Sequence, residues 1–369
     1  MSSTALKIRT VYLKVTNRCN VGCDFCYLPE STRLDKSVMS LLVAKDVARS
    51  IAVANHVEGY GLINLIVHGG EPLSMSGEGL SKIVREFVEE SKEKVLVSIQ
   101  TSLLPLSDRH LDFVHQWCDG WIGSSLDLTQ RKINNSKEAY DELWEKKLDF
   151  ASENGCKVRP IIVPSVSEAG CIDEFLDYLI GHGLYGFDID RYTNYGGTDN
   201  QSMPTNLEHS NYLLELTSCL FERFESGLKI GNNVVEAALR GVFYSIPGER
   251  WGGSCQKSFL VIEPSGDFNT CPDRASREQP YGSAKEAGSI LSAPERLKWI
   301  DHQEFGHKTG DCFKCQYQEW CRSGCPIVEN VDASGECSGY KTYLDYLKSL
   351  DPILVSKYLS AKEGRYAYA

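Results

Sequence analysis

Apolar residues along the first half of the chain recur with two different periods, and the two periods alternate. Apolar runs of strand length are each followed by a segment whose apolar residues recur at helical spacing. Strands are predicted at residues 11–16, 62–67, 95–100, 121–126, 157–163 and 187–192, and helices at 36–55, 79–92, 108–117, 137–154, 172–181, 208–227, 234–244 and 340–350. Strands that alternate with helices imply a parallel sheet with helices outside it. The loops after such strands lie at one end of the sheet, where we expect the chemistry.

Composition and charge narrow the class of protein. The 369 residues, 42% of them hydrophobic, suffice for one large domain and a smaller one. The formal net charge of −11 argues against a binder of nucleic acid or of anionic membranes. No apolar run is long enough to span a membrane, and the first residues lack the apolar core of a signal peptide. We therefore expect a cytoplasmic protein without nucleic-acid or membrane partners.

The fourteen cysteines are many for a reducing compartment, where clustered cysteines more often bind metal than form disulfides. Cys19, Cys23 and Cys26 follow the first strand at a spacing that lets three thiols converge. Thiolates select zinc, copper(I) or iron–sulfur clusters, and a structural zinc site would need a fourth ligand. Three thiolates on a four-iron cube would leave one iron free for a cofactor or substrate.

The second group of cysteines lies near the C-terminus. It consists of Cys255, Cys271, Cys312, Cys315, Cys321, Cys325 and Cys337. Alone, the run of four from Cys312 to Cys325 is also compatible with a zinc ribbon. The remaining cysteines, Cys118, Cys156, Cys171 and Cys219, are scattered among apolar or helical neighbours, so we expect buried small hydrophobes there.

Both groups together resemble the signatures of radical S-adenosylmethionine (radical SAM) enzymes of the SPASM-domain family. The first motif is Cys-x3-Cys-x2-Cys, with Phe25 and Tyr27 on either side of its third cysteine. The seven C-terminal cysteines match the SPASM extension. The resemblance spans about residues 11–340. It implies an α/β fold with a partial, TIM-like (β/α)6 barrel over residues 8–230. A C-terminal iron–sulfur (SPASM) domain over 231–350 and a tail over 351–369 would follow.

The resemblance also implies three 4Fe-4S clusters. Cys19, Cys23 and Cys26 would hold the cluster that binds SAM. One auxiliary cluster would be held by Cys312, Cys315, Cys321 and Cys337, and the other by Cys255, Cys271 and Cys325. The proline after Cys325 parallels bacterial ferredoxins, in which the cysteine before proline serves the other cluster. Three cysteines cannot fill four positions, so we predict an iron that binds a substrate thiolate, with water, an exogenous thiol, Asp273 or Cys219 as alternatives.

Further residues would contact SAM. The turn Gly69-Gly70-Glu71-Pro72 ends the second strand, where glycines permit close approach and a carboxylate can accept bonds from an ammonium group. Phe25, Tyr27, Gln100, Ser125, Asp127 and Arg159 complete the predicted cofactor-binding set. Capping of helices by Ser125 and Asp127, and a structural ion pair of Arg159, are the alternatives. Ser102 and Leu103 stand where the family often has Asn-Gly.

The resemblance implies that a 5′-deoxyadenosyl radical abstracts a hydrogen atom from the substrate. The leading expectation is an oxidoreductase that modifies a ribosomally synthesised precursor peptide (RiPP maturation), through a thioether, a carbon crosslink or another oxidation, with a flavodoxin- or ferredoxin-type electron donor. Alternatives are dehydrogenation of a small molecule, formylglycine formation as in anaerobic sulfatase maturases, and a passive iron–sulfur electron carrier. Those maturases have a catalytic aspartate directly after the cysteine matching Cys271, whereas this chain has Asp273 one position later. We expect a peptide to dock directly on the barrel and C-terminal domain, or through a separate protein.

Overall fold

The computed structural model describes most of the chain. The described residues are 7–23, 26, 28, 30–55, 61–127, 129–168, 170–192, 203–248, 250–253, 255–269, 271–272, 280–286, 290, 293–308 and 310–365.

The strands, in chain order, are β1 Thr10–Thr16, β2 Gly22–Cys23, β3 Leu62–Gly69, β4 Lys94–Thr101, β5 Trp121–Ser125, β6 Arg131–Lys132, β7 Lys157–Ile162, β8 Gly186–Ile189, β9 Leu228–Lys229, β10 Gly231–Asn232, β11 Phe259–Ile262, β12 Asp267–Asn269, β13 Gly282–Ser283 and β14 Gly364–Arg365. The α-helices are α1 Glu30–Leu34, α2 Leu41–Asn55, α3 Gly77–Ser91, α4 Asp108–Cys118, α5 Lys137–Glu153, α6 Ile172–Gly181, α7 Asn206–Glu225, α8 Asn233–Tyr244, α9 Cys255–Ser258, α10 Pro294–Asp301, α11 Gln318–Cys321, α12 Lys341–Lys348 and α13 Pro352–Ser360. Short 3₁₀ turns lie at Pro72–Ser74, Val166–Glu168 and Cys312–Lys314, and a π-helical turn at His302–Gly306.

A ten-stranded sheet organises the described residues, in the order β10-β8-β7-β5-β4-β3-β1-β11-β12-β13. Its central strands β1, β3, β4, β5, β7 and β8 are the six predicted from the apolar pattern, and every pair of neighbours among them is parallel. The predicted α/β fold is therefore confirmed. The carboxyl ends of these strands form one edge, which presents the loops that carry the predicted site.

Helices outside the sheet hold the strand ends in place. The apolar face of α3 buries Leu80, Ile83 and Phe87, and the Ser76 side chain caps its first turn by accepting from the Gly79 amide at 3.2 Å. Helix α5 buries Tyr140 and Trp144. The Tyr140 hydroxyl donates to the Ser125 carbonyl at 2.8 Å and the Trp144 indole to the Ser124 hydroxyl at 2.8 Å. These bonds fix the carboxyl end of β5 beside the site.

Segments assigned by sequence to the second domain and the tail also pack on the barrel. Strand β11 pairs in parallel with β1, and β10 pairs in parallel with β8. Helix α13, in the predicted tail, buries Tyr358, whose hydroxyl donates to the Ile230 carbonyl at 2.8 Å. The sheet thus continues across the predicted boundary at residue 230.

Candidate active site

A cavity of about 240 Å³ opens at the carboxyl edge of the central strands. Most residues predicted to bind the first cluster or SAM line it together. These are Cys19, Cys23, Cys26, Gly69, Gly70, Glu71, Gln100 and Ser125. Residues from four separate loops therefore meet at one place, as the parallel topology requires.

The middle cysteine of the first motif is held by a short antiparallel ladder. Strand β2 pairs with β6, and Cys23 lies opposite Arg131. The Arg131 guanidinium donates from Nη1 to the Cys23 sulfur at 3.4 Å. Burial raises the pKa of the Cys23 thiol to about 12, and the Arg131 charge opposes that rise. The arginine thus favours the thiolate, the form that binds metal.

Asp127 lies behind Arg131 and does not line the cavity. Its Oδ1 accepts from the amides of Gln130 at 2.7 Å and Arg131 at 3.1 Å, and its Oδ2 is 2.9 Å from Arg131 Nε. These bonds give Asp127 a role in orienting Arg131, and its contact with SAM stays a prediction. Arg131 was not predicted from sequence, because its place opposite Cys23 depends on pairing between distant segments.

Gly69 and Gly70 lie against the chain that leads into the cysteine loop. The Gly70 amide donates to the Thr16 carbonyl at 2.8 Å. A Cβ on Gly70 would come within 2.5 Å of the carbonyl oxygens of Asn17 and Arg18, and one on Gly69 within 2.2 Å of the Thr16 carbonyl oxygen. Both positions need glycine because backbone crosses backbone here, close to Cys19.

The Glu71 carboxylate already has its hydrogen bonds within the protein. Its Oε1 accepts from the Leu73 amide at 2.9 Å and the Thr101 hydroxyl at 2.6 Å, and its Oε2 from the amide, at 2.8 Å, and the hydroxyl of Ser102. A carboxylate has about four acceptor sites, so the side chain has none left for the predicted ammonium group. Burial raises the pKa of Glu71, and these bonds oppose the rise. Glu71 lines the cavity and joins its loop to the end of β4.

Gln100 and Ser125 form the polar part of the wall between β4 and β5. The Gln100 amide donates to the Ser125 hydroxyl at 3.1 Å. Gly123, opposite Gln100 in the sheet, leaves the space that this amide occupies, since a Cβ there would lie 2.3 Å from Gln100 Oε1. Both side chains keep polar atoms available for hydroxyl or amino groups of a bound molecule.

Charged side chains that were not among the predicted site residues also line the cavity. Asp190 and Arg191 follow β8 and line the cavity, as do His68 and Pro272. Burial raises the pKa of Asp190, whereas burial lowers that of His68 to about 3, so His68 is neutral. Arg191 Nη1 donates to the hydroxyl of the fully buried Tyr340 at 2.5 Å.

Other predicted site residues lie elsewhere. Pro72 starts a buried 3₁₀ turn and does not line the cavity. Arg159 also lies away from it, because its guanidinium pairs with Asp188 at 3.0 Å and Glu363 at 3.2 Å. That pairing is the structural alternative to the predicted SAM contact. Phe25, Tyr27 and Asp273 fall outside the described residues.

Three of the C-terminal cysteines, Cys315, Cys321 and Cys337, lie near one another. Cys321 interacts electrostatically with Cys337 and Cys315, and the Ser323 hydroxyl donates to the Cys312 sulfur at 3.3 Å. Cys271 precedes Pro272, which brings its loop to the main cavity. The thiol of Cys219 lies beside Asp173 on α6. Cys118, Cys156 and Cys219 are buried as predicted, whereas Cys171 is half-buried.

The donor set is compatible with iron–sulfur clusters. Within the described part of the chain, no three or more His, Cys, Asp or Glu side chains stand close enough to hold a single metal ion. A four-iron cube is wider than one ion and takes thiolates from several sides. The three thiols in the first cavity, with polar groups of Gln100 and Ser125 nearby, therefore fit a cube with one iron left for a further ligand.

Comparisons with known proteins agree with this geometry. Residues 13–178 match the model of the Radical SAM superfamily. A solved structure of native anSMEcpe with bound AdoMet has a TM-score of 0.76 at 15% identity, covering 95% of this chain and 100% of that chain. Streptococcus suis SuiB bound to precursor peptide SuiA has a TM-score of 0.65 at 15% identity, covering 86% and 72%. An uncharacterised protein of Archaeoglobus fulgidus is 29% identical over 355 residues, 93% of this chain and 80% of that protein. Among the described residues, no helix combines the length and apolar character needed to cross a membrane.

Proposed function

The chain contains a radical SAM domain, and from this premise we propose that it is an enzyme that abstracts a hydrogen atom from a ribosomally made peptide and thereby modifies it. One observation carries the proposal: Cys19, Cys23 and Cys26 share a single cavity with the Gly69–Gly70 turn and with Gln100. A passive electron carrier needs no such pocket beside its cluster.

The residues of the cavity have separable tasks. Cys19, Cys23 and Cys26 would hold a 4Fe-4S cluster whose open iron binds SAM, and the two together supply a carbon radical when the cluster is reduced. Arg131 favours the thiolate of Cys23, and it and Arg191 are the arginines of the cavity wall that could bind a carboxylate of the bound cofactor. Gln100 and Ser125 offer hydrogen bonds to hydroxyl groups. Val21, Leu28, Ile161 and Val163 supply the apolar lining that limits access of water to a reactive radical.

A peptide substrate is supported by the shared fold of SuiB, which has been solved with its precursor peptide. Asp190 and Arg191, which follow β8 and line the cavity, would contact the polar backbone or charged groups of that peptide. The two auxiliary clusters, held by the C-terminal cysteines as the resemblance implies, would take up the electron released when the substrate radical is oxidised. A flavodoxin- or ferredoxin-type protein would supply the first electron.

Formylglycine formation is the second candidate. The fold of anSMEcpe, an anaerobic sulfatase maturase, is shared along 95% of this chain. In that case Asp273 would be the residue to test as the base near the substrate. The missing cysteine between Gln256 and Ser265 and the shifted aspartate favour the first candidate.

The test begins with anaerobically reconstituted protein. Reduced wild-type protein should cleave SAM to 5′-deoxyadenosine. Replacing Cys19, Cys23 and Cys26 by alanine should abolish cleavage and leave roughly two-thirds of the iron, since the auxiliary clusters have their own ligands. Cys171→Ser, at a half-buried cysteine, is the matched control. It should keep both SAM cleavage and the full iron content. Cleavage retained by the triple variant would refute the assignment.

The substrate class needs a second measurement. Precursor peptides encoded beside this gene should lose two hydrogen atoms per crosslink by mass spectrometry. A cysteine-containing sulfatase peptide should instead yield an aldehyde if the second candidate is correct. SAM cleavage without change in either peptide would point to a small-molecule substrate.

A further inference from the structure

A π-helical turn lies in the chain after Cys255 and Cys271 and before the run that starts at Cys312. It spans His302–Gly306, and the His307 amide donates to the His302 carbonyl five residues earlier, at 2.8 Å. Such turns are rare and occur frequently at functional sites. Neither the radical chemistry nor the predicted cluster ligands explain why the chain adopts one here.

The turn places a glutamine amide on a cysteine sulfur. Gln303 is 4% exposed, and its Nε2 donates to the Cys255 sulfur at 3.0 Å. Its Oε1 accepts from the backbone amide of Gln256 at 3.0 Å. Because a backbone N–H can only donate, this second bond fixes the orientation of the amide and directs its N–H groups at the sulfur.

Bonds on both sides hold the turn independently of Gln303. His302 Nε2 bonds to the carbonyl of Pro326, which follows Cys325, at 3.2 Å. His307 Nε2 bonds to the hydroxyl of Ser338, which follows Cys337, at 3.0 Å. The turn is thus tied to chain segments beside members of both predicted auxiliary sets.

We propose that Gln303 is a positioning residue that donates an N–H bond to the Cys255 sulfur and thereby raises the reduction potential of the cluster held by Cys255, Cys271 and Cys325. The inference rests on the auxiliary clusters of the proposed function. Reduction adds negative charge to a cluster and its sulfur ligands. An N–H dipole directed at a ligand sulfur stabilises that charge, so hydrogen bonds to sulfur help to set the potential.

A second donor is present but weaker. Gln256 Nε2 lies 3.7 Å from the same sulfur, close to the limit for a bond to sulfur. We therefore assign most of the effect to Gln303. A cluster that is easier to reduce is a better acceptor for an electron released by substrate, which is the task the proposed function gives it.

The test is an EPR-monitored redox titration of reconstituted Gln303→Met. Methionine keeps the length of the side chain and removes the donor. We expect the equilibrium constant for one-electron reduction of one auxiliary cluster to fall about tenfold, a shift of about 59 mV to more negative potential. The other clusters should be unchanged, as should all clusters in Gln116→Met, which alters an exposed glutamine on α4. An unchanged or raised potential for every cluster would overturn the inference.

Two measurements separate this inference from the proposed function. Iron and sulfide analysis of wild-type protein should give three clusters, and a single cluster would refute the auxiliary sites and Gln303 together. Three clusters with no shift in Gln303→Met would refute Gln303 alone.

If the Gln303→Met variant fails to assemble that cluster, pulsed EPR of the reduced wild type labelled with ¹⁵N-glutamine tests whether a glutamine nitrogen lies at the cluster. It should show a nitrogen coupling that persists in Gln256→Met. Absence of the coupling, or its loss in Gln256→Met, would contradict the role of Gln303.

Discussion

Glu71 shows how one buried acid can organise a site without binding its ligand through the side chain. The carboxylate is 1% exposed and receives two hydrogen bonds on each oxygen. One donor on each oxygen is a backbone N–H, from Leu73 on one side and Ser102 on the other. These bonds hold the Gly69–Gly70 turn against the end of β4, so that both walls of the cavity keep their spacing.

Replacing Glu71 with glutamine should therefore destabilise the protein. In either orientation, the NH2 group of the new amide faces a backbone N–H. Both groups are donors, so a hydrogen bond is lost. We expect the free energy of unfolding of the apoprotein to fall by about 1–3 kcal/mol in urea titrations. Glu78→Gln, which affects only an exposed pair with Lys82, should leave it nearly unchanged. If Glu71→Gln instead left stability unchanged and weakened only SAM binding, the side chain would be a ligand contact after all.

Strands β7 and β8 are joined to the C-terminal segment by one arginine. Arg159 on β7 pairs with Asp188 on β8 and with Glu363, just before β14. Strand β14 in turn pairs with β9. The last described residues thereby lie beside β7, β8 and β9.

Arg159→Met should separate this structural role from the predicted contact with SAM. The pair is partly buried, so we expect a loss of about 1–3 kcal/mol in unfolding free energy, between the values for exposed and buried pairs. The KM for SAM in cofactor cleavage should change less than about twofold. Lys157→Met, at an exposed position of the same strand, is the control for loss of a cation. A large increase in KM with unchanged stability would restore Arg159 to the cofactor site.

Across the whole molecule, local patterns were enough to predict the central sheet and the cavity residues that belong to recognised sequence motifs. Strand Leu62–Gly69 buries Ile63, Leu65 and Val67 on one face, and its apolar run of strand length was recognised although the other face is only partly covered. Arg131 could not be predicted, because β2 and β6 are two-residue strands whose pairing joins segments far apart in sequence. The small size of Gly70 also admits the backbone of Asn17 and Arg18, a contact that only the folded chain creates and that the sequence could not indicate. Helix α13 was missed because only Val355 and Tyr358 are buried, too few for a clear period.

The two halves of the molecule differ in what stabilises them, and this difference predicts how they respond to loss of iron. Long helices and a continuous core support the barrel. By contrast, the described part of residues 302–337 has only short turns and the four-residue α11 as regular structure, and this segment contains five of the predicted cluster cysteines. Metal binding supplies folding free energy where regular structure is sparse. Limited proteolysis should therefore cut the apoprotein first within residues 302–340. Reconstitution with iron and sulfide should slow that cleavage by about tenfold or more. Cleavage sites in the barrel should stay protected in both forms. The triple alanine variant at Cys19, Cys23 and Cys26 is the control, since it should lack the first cluster and still show protection near the C-terminus. Equal cleavage of the C-terminal region with and without iron would mean that its cysteines fold without clusters.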